Sequence, residues 1–264
     1  TIALIKKDFG QVDMVIYSIA APRRTAPDGV TYKSVLKTTG ESYTNRTIDL
    51  RNNQLMEATI EPATDEEIRN TIKVMGGEDW ILWIKALKEA GVLADGAKTV
   101  AYSYIGPELT YPIYKEGSIG QAKKDLYASA DKIQAEIDGV EAYVSVNKAV
   151  VTQSSAAIPI VPLYLAILFK VMKEQKVQEG CIEQMYRMIH DRLCNGGAVV
   201  TDENRLIRMD DWEMEPKVQE AVAEIWQKID QDNLEDVTDL DGYWQEFYEI
   251  FGFRINGVDY GADV

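Results

Sequence analysis

Apolar and polar positions along the chain switch between a helical and an extended period, and the switches mark out the elements. Val12-Asp-Met-Val-Ile-Tyr-Ser-Ile-Ala20 is nearly continuous in apolar residues, the pattern of a parallel strand covered on both faces. Thr1 to Asp8 reads as the second half of an amphipathic helix, so the opening is helix, Gly10 and strand, half of a βαβ unit. Residues 30–63 are polar and irregular and suit a small hairpin or an extended excursion. Thr64 and Glu67 form a capping box for a helix that runs to Val74. After Gly76-Gly77, Trp80, Trp83, Ile84 and Leu87 share one face of a second helix, which stops at Gly91. Thr99–Ile105 is the second strand, Ile113–Ile137 contains a helix, and Glu141–Asn147 is the third strand. Ile160–Lys176 is an apolar helix with a basic last turn, which the helix dipole favours. Gly180–Leu193 is another helix. From Thr201 the chain is acidic, with helices over Pro216–Ile229 and Tyr243–Ile250. This alternation predicts an α/β fold, the C-terminal part of a Rossmann-like doubly wound parallel sheet with additional helices. Residues 1–200 are expected to form the catalytic domain, with the helices of about 64–91 covering the substrate. Residues 201–264 are expected to form an appended helical segment packed on it.

Charge and composition narrow the function. The 43 acidic and 28 basic residues give a formal net charge of -15. That balance argues against nucleic acid and against an anionic membrane surface, both of which need clustered Lys and Arg. A local basic group remains in Arg23, Arg24, Lys33 and Lys37, which could meet a phosphorylated small ligand. One histidine and two cysteines without a CxxC cannot build a zinc site rich in Cys and His, so no metal is expected. Cys181 and Cys194 are expected as buried thiols in a reducing compartment. The longest apolar run, Ala156–Phe169, is shorter than the ~20 residues of a membrane span and holds two prolines, so it predicts a core helix and no membrane insertion. The chain shows no signal peptide and no initiator Met. The expectation is a cytoplasmic protein whose sequence begins mid-chain.

One stretch points to chemistry. Tyr102-Ser-Tyr-Ile-Gly-Pro107 leaves a strand, and Tyr114-Lys-Glu-Gly-Ser-Ile-Gly-Gln-Ala-Lys123 follows. On one continuous helix a spacing of nine places Tyr114 and Lys123 on opposite faces. Gly117 and Gly120 interrupt the stretch, and Ser118 with Gln121 reads as a capping box. The helix is therefore expected to start near Ile119, which leaves Tyr114 in a loop able to fold back over Lys123. An adjacent ammonium favours the phenolate, and a phenol can donate to a developing enolate oxygen. With 14 tyrosines in the chain, spacing alone carries little weight. Elsewhere, Trp80 and Trp83 read as core or as the wall of an acyl channel, Met172, Met185 and Met188 as core filler, and His190 as an ordinary helix residue. Asp210-Asp211 and the other carboxylates read as a solvated face. Ser154-Ser155 lacks the G-x-S-x-G of a nucleophile elbow.

The chain resembles the FabV/trans-2-enoyl-CoA reductase family over essentially its whole length. The resemblance rests on Tyr17-Ser-Ile-Ala-Ala-Pro-Arg-Arg24, Val74-Met-Gly-Gly-Glu-Asp-Trp80, Ala101-Tyr-Ser-Tyr-Ile-Gly106, the Tyr-x8-Lys of Tyr114 and Lys123, Val150-Val-Thr-Gln-Ser-Ser-Ala156, Glu179-Gly-Cys-Ile-Glu-Gln184 and Gly252-Phe-Arg-Ile-Asn-Gly-Val-Asp-Tyr260. It implies that Tyr114 is the catalytic tyrosine, that Lys123 assists it and binds the cofactor, and that Tyr104 meets the substrate. It also implies backbone contacts to NADH from Ile19 and Ala20 and from Val150, Val151 and Thr152. The implied reaction is NADH-dependent reduction of an enoyl-CoA or enoyl-acyl carrier protein by a monomer. Phe253–Tyr260 falls in a segment classified in this family as flavin-binding, but no residue pattern there supports flavin chemistry. The chain departs from the family in having no G-x-G-x-x-G loop, so the N-terminal βαβ region is expected to lie outside this sequence. Two rivals are a non-catalytic acyl-CoA-binding fragment and a short-chain-dehydrogenase type ketoreductase. In the latter, the lysine usually follows the tyrosine by four positions.

Overall fold

The computed structural model describes residues 1–262. In chain order the elements begin with α1 (Ile2–Phe9), β1 (Val12–Tyr17), β2 (Arg23–Thr25), β3 (Thr31–Lys33), β4 (Tyr43–Asp49) and β5 (Gln54–Ile60). Next come α2 (Asp65–Met75), α3 (Glu78–Glu89), β6 (Leu93–Ser103), α4 (Ser118–Glu136) and β7 (Val140–Val146). The rest are α5 (Val161–Glu174), α6 (Cys181–Arg187), β8 (Leu206–Arg208), α7 (Pro216–Lys228), α8 (Leu234–Val237) and α9 (Leu240–Glu249). They divide into two compact units. One comprises residues 1–43, 60–147 and 185–210, and the other residues 44–59, 148–184 and 211–264.

The first unit is built on a parallel sheet in the order β1-β6-β7-β8. Small residues on one face of β6 and β7 (Ala97, Ala101, Ala142) leave room for Trp80, Ile84 and Leu87 of α3 and for Leu126 and Ile133 of α4. Trp80, Ile84 and Ile133 are fully buried, each contributing about 1.5–3 kcal/mol by the apolar area removed from water. The other face, with Val100, Tyr102, Tyr143 and Ile207, packs on Met185, Met188 and Leu193. Both faces are thus covered, as a doubly wound sheet requires.

Several elements match the expected pattern. The α2 capping box forms, with the Glu67 amide donating to Thr64 Oγ1 at 3.2 Å and the Thr64 amide to Glu67 Oε2 at 2.9 Å. β6 begins six residues before the expected Thr99, because Asp95-Gly96 broke the apolar run. The pairing absorbs these residues as a register shift between Val12↔Leu93 and Met14↔Lys98. Gly77 sits where an added Cβ would lie 2.2 Å from Ser129 Cβ, so the α2–α3 junction closes on α4 only without a side chain there.

Other expectations are corrected. β1 lies at one edge of the sheet among the described residues, and Ile16 and Ile19 are exposed, so its apolar run is not covered on both faces there. Leu206–Arg208 forms a fourth strand inside the stretch expected to be helical. The helix expected over Gly180–Leu193 is α6 followed by a π-helical turn over Met188–Leu193. Cys181 and Cys194 are unpaired and exposed rather than buried.

In the second unit, β4 and β5 pair with each other, and nearly every residue of α5 is buried. Ile160, just before α5, is fully buried with φ of +75°. A β-branched residue there is strained, by about 1–3 kcal/mol. The bond from the Ile160 amide to Thr47 Oγ1 at 3.1 Å helps to hold it.

Thr99 links three elements. Trp80 Nε1 donates to Thr99 Oγ1 at 2.9 Å, and Thr99 Oγ1 donates to the Val15 carbonyl at 3.0 Å. Thr99→Val leaves the buried indole N–H without an acceptor. It is expected to lower the unfolding free energy by about 1–3 kcal/mol, measured by urea denaturation.

Candidate active site

The candidate site lies where the parallel strands end, the edge at which open α/β sheets bind ligands. β6 ends at Ser103, whose carbonyl accepts the Asn147 amide at 2.9 Å just past the end of β7. Ser103 Oγ and the Tyr127 hydroxyl of α4 are 2.8 Å apart.

Tyr104 leaves this strand end and turns back over Gly106. A Cβ on Gly106 would lie 2.8 Å from the Tyr104 hydroxyl, and the residue has φ of +74°. A short 3-10 turn over Glu108–Thr110 then carries the chain to Tyr114, whose amide donates to the Thr110 carbonyl at 3.0 Å. The structure brings the two tyrosines together, with ring centroids 5.0 Å apart at 87°, an edge-to-face contact.

α4 starts at Ser118, close to the expected position, and Tyr114 lies in the loop before it. The expected Ser118–Gln121 capping box does not form. Gly117 is the N-cap, and the Ser118 hydroxyl instead donates to the Val35 carbonyl at 2.6 Å and accepts the Lys37 amide at 3.1 Å. Gly120 lets the Tyr114 loop lie against the first turn, since a Cβ there would be 2.3 Å from the Tyr114 carbonyl oxygen and 2.1 Å from that of Lys115.

Lys123, in the second turn of α4, donates from Nζ to the Tyr102 carbonyl at 3.1 Å, two residues before Tyr104. No described carboxylate forms an ion pair with it. Burial therefore acts unopposed and pushes its ammonium down to about 8 from 10.5. An ammonium with one neutral acceptor keeps two further N–H donors, a set suited to ribose hydroxyls.

Ile19 and Ala20 follow β1 and are exposed. Arg24, by contrast, is committed within the protein. Its guanidinium donates to Glu78 Oε2 at 2.7 Å and to the Lys73 carbonyl at 2.8 Å, with Asp79 at 3.4 Å, which corrects the reading of Arg24 as a phosphate ligand. Lys37 is likewise paired with Glu67 at 2.7 Å. Tyr17, behind this cluster, donates to Asp79 Oδ2 at 3.2 Å, and burial raises its pKa.

Val150, Val151 and Thr152 belong to the second unit. Val150 is half-buried, Val151 buried and Thr152 exposed. Thr152 and Ser155 bond reciprocally, the Thr152 amide to Ser155 Oγ at 2.8 Å and the Ser155 amide to Thr152 Oγ1 at 3.0 Å.

A family model described as the trans-2-enoyl-CoA reductase catalytic region matches residues 1–194. The chain belongs to the trans-2-enoyl-CoA reductase family. A second model, described as an enoyl reductase FAD binding domain, matches residues 201–264. The chain is 55% identical to a trans-2-enoyl-CoA reductase [NADH] of Ruminiclostridium cellulolyticum, over all of this chain and 67% of that protein. It is 54% identical to an enoyl-[acyl-carrier-protein] reductase [NADH] of Cytophaga hutchinsonii over the same shares. The crystal structure of the Treponema denticola trans-2-enoyl-CoA reductase in complex with NAD superposes with a TM-score of 0.95 at 48% identity, covering all of this chain and 66% of that one. The chain thus spans about two thirds of the length of these family members. The family is one of NADH-dependent oxidoreductases.

Within this family frame, some residues escaped the sequence reading. Asp210 is fully buried and accepts the Arg208 guanidinium at 2.6 and 2.7 Å, and Glu213 is fully buried, so neither belongs to a solvated face. No local pattern distinguishes these acids from exposed ones. Their burial depends on partners that the fold brings in. Trp80 is core, and His190 is exposed beside Asp191.

Two outcomes follow from this geometry. Gly120→Ala is expected to cost about 1–3 kcal/mol through overpacking, seen as a lower urea midpoint at unchanged far-UV circular dichroism. NMR titration of the Lys123 ammonium is expected to show a midpoint near 8. Between that value and 10.5 the unfolded chain binds the extra proton, so the Lys123 contribution to stability rises with pH across this window. Lys123→Met is expected to flatten that rise.

Proposed function

We propose that this chain carries the substrate-reducing centre of an NADH-dependent trans-2-enoyl-thioester reductase acting on CoA or acyl carrier protein substrates. The observation that carries the reading is the Tyr104–Tyr114 pair at the end of β6, with the carboxylate-free ammonium of Lys123 anchored two residues upstream. Exposed backbone at Ile19 and Ala20 and spare donors on Lys123 fit a nicotinamide nucleotide. NADH, when bound, supplies the hydride that saturates the β-carbon.

In this reading, Tyr114 donates a hydrogen bond to the thioester oxygen as it gains enolate charge. Tyr104 holds the Tyr114 ring edge-on and borders the substrate. Lys123 binds ribose hydroxyls, and its positive charge favours the phenolate form of Tyr114. The α-carbon takes a proton as the enolate collapses, so the double bond gains one hydride and one proton. Ile19 and Ala20, with Val150, Val151 and Thr152, supply backbone contacts to the cofactor. Residues 1–200 carry the chemistry and residues 201–264 support it, in a cytoplasmic monomer that meets water-soluble thioesters.

The test is NADH oxidation on addition of crotonyl-CoA, with the product identified by mass spectrometry, in the full-length protein and in Tyr114→Phe. Turnover to butyryl-CoA is expected in the parent. Tyr114→Phe is expected to lower kcat about 100-fold with little change in KM, as for an interaction made mainly in the transition state. An unchanged kcat removes Tyr114 from the mechanism. Tight CoA binding without turnover in the parent favours an acyl-CoA-binding role instead.

A further inference from the structure

The second unit holds a buried polar network whose members all converge on one loop, Lys148–Val151. The Lys148 amide donates to Gln184 Oε1 at 2.9 Å and the Ala149 amide to Glu213 Oε2 at 2.7 Å, and the Glu246 carboxylate faces the Val151 amide. Each acceptor is itself held. The other Glu213 oxygen accepts the Tyr164 hydroxyl at 2.6 Å, and Gln219 Nε2 donates to the Glu213 carbonyl at 2.7 Å. Gln178 Nε2 donates to Glu246 Oε1 at 3.3 Å. Lys148, fully buried, donates from Nζ to the Ala149 carbonyl at 2.8 Å. Glu213, Glu246 and Glu179 supply the negative field around its ammonium.

Burying carboxylates costs several kcal/mol each unless charge and hydrogen bonds compensate. A loop needing only satisfied amides could use water or backbone carbonyls. Here Gln184 and Glu213, from separate segments, hold two of the four amides by buried bonds that fix direction as well as distance, and the Glu246 carboxylate faces a third. We propose that Glu213, Glu246 and Gln184 are positioning residues that lock the Lys148–Val151 loop so that Val150–Thr152 are preset for the nicotinamide cofactor. This rests on the reductase reading above. It also assigns a task to residues 211–249: they set the backbone of a cofactor loop.

The test uses the full-length protein, Glu246→Ala and Glu246→Gln, with Lys123→Ala as a reference. Glu246→Ala removes the carboxylate that faces the Val151 amide and is expected to raise the NADH Kd, read by cofactor fluorescence, about tenfold, equivalent to about 1.4 kcal/mol. The KM for crotonyl-CoA stays within twofold, and amide hydrogen exchange in the 148–152 segment quickens without cofactor. Glu246→Gln keeps an acceptor oxygen and is expected to bind NADH within threefold of the parent. An NADH Kd for Glu246→Ala within twofold of the parent overturns the proposal, as does an equal loss for both ligands. Should Glu246→Ala fail to fold, Gln184→Ala, which removes the Lys148 acceptor, is read instead. A threefold or larger rise in NADH Kd at constant crotonyl-CoA KM supports the proposal, and no rise overturns it. A parent that binds no NADH brings down this inference and the reductase reading together. A parent that binds, weakened in Lys123→Ala but not in the Glu246 variant, brings down this inference alone.

Discussion

Parallel pairing on both sides of β6 is the constraint on which the first unit depends. Tyr17 lies opposite Ala101, and Ser103 opposite Val146, so three strands end nearly level on one edge. Parallel strands cannot be joined by tight turns, so each must be followed by a long excursion from that edge. The excursion after β6 carries Tyr104 and Tyr114 and returns as α4, whose second turn places Lys123 against the backbone of the strand it left. The site is therefore a consequence of strand direction before it is a consequence of any side chain. Thr99 fastens this arrangement by tying β6 to Trp80 and to β1.

The parts of the fold written in local pattern were readable in advance. The Thr64–Glu67 box, the apolar face of α3 and the strand alternation of β6 and β7 depend on residues a few positions apart. So does the break that puts Tyr114 before α4, because Gly117 signals it, whereas Gly120, also read as an interruption, lies inside the helix. What sequence could not supply was partnership. β8 is three residues long and becomes a strand only by pairing with Val144–Val146. The apolar run of β1 reads the same in the middle of a sheet as at its edge. Ser118 was a plausible cap until the Val35–Lys37 segment, over eighty residues away, occupied its hydroxyl. Arg24 resembled a phosphate ligand until Glu78 and Asp79 claimed it.

The acids show the same division. A net charge of -15 suggests carboxylates spread over the surface, yet Asp210 and Glu213 are fully buried and serve as acceptors. Their charge is used at short range, against a guanidinium in one case and against a main-chain amide and a phenol in the other. Composition gives the sum of charges and no information on which are solvated.

The open edge of β1 bears on how the sheet can be extended. Among the described residues it is flanked by exposed Phe9, Ile16 and Ile19, and a strand edge accepts an extended segment of suitable register. The chain spans about two thirds of the length of its relatives. A further strand laid along that edge would take up the main-chain groups of β1 and cover the apolar side chains beside them, so the same surface that is a liability when bare is a seam when joined.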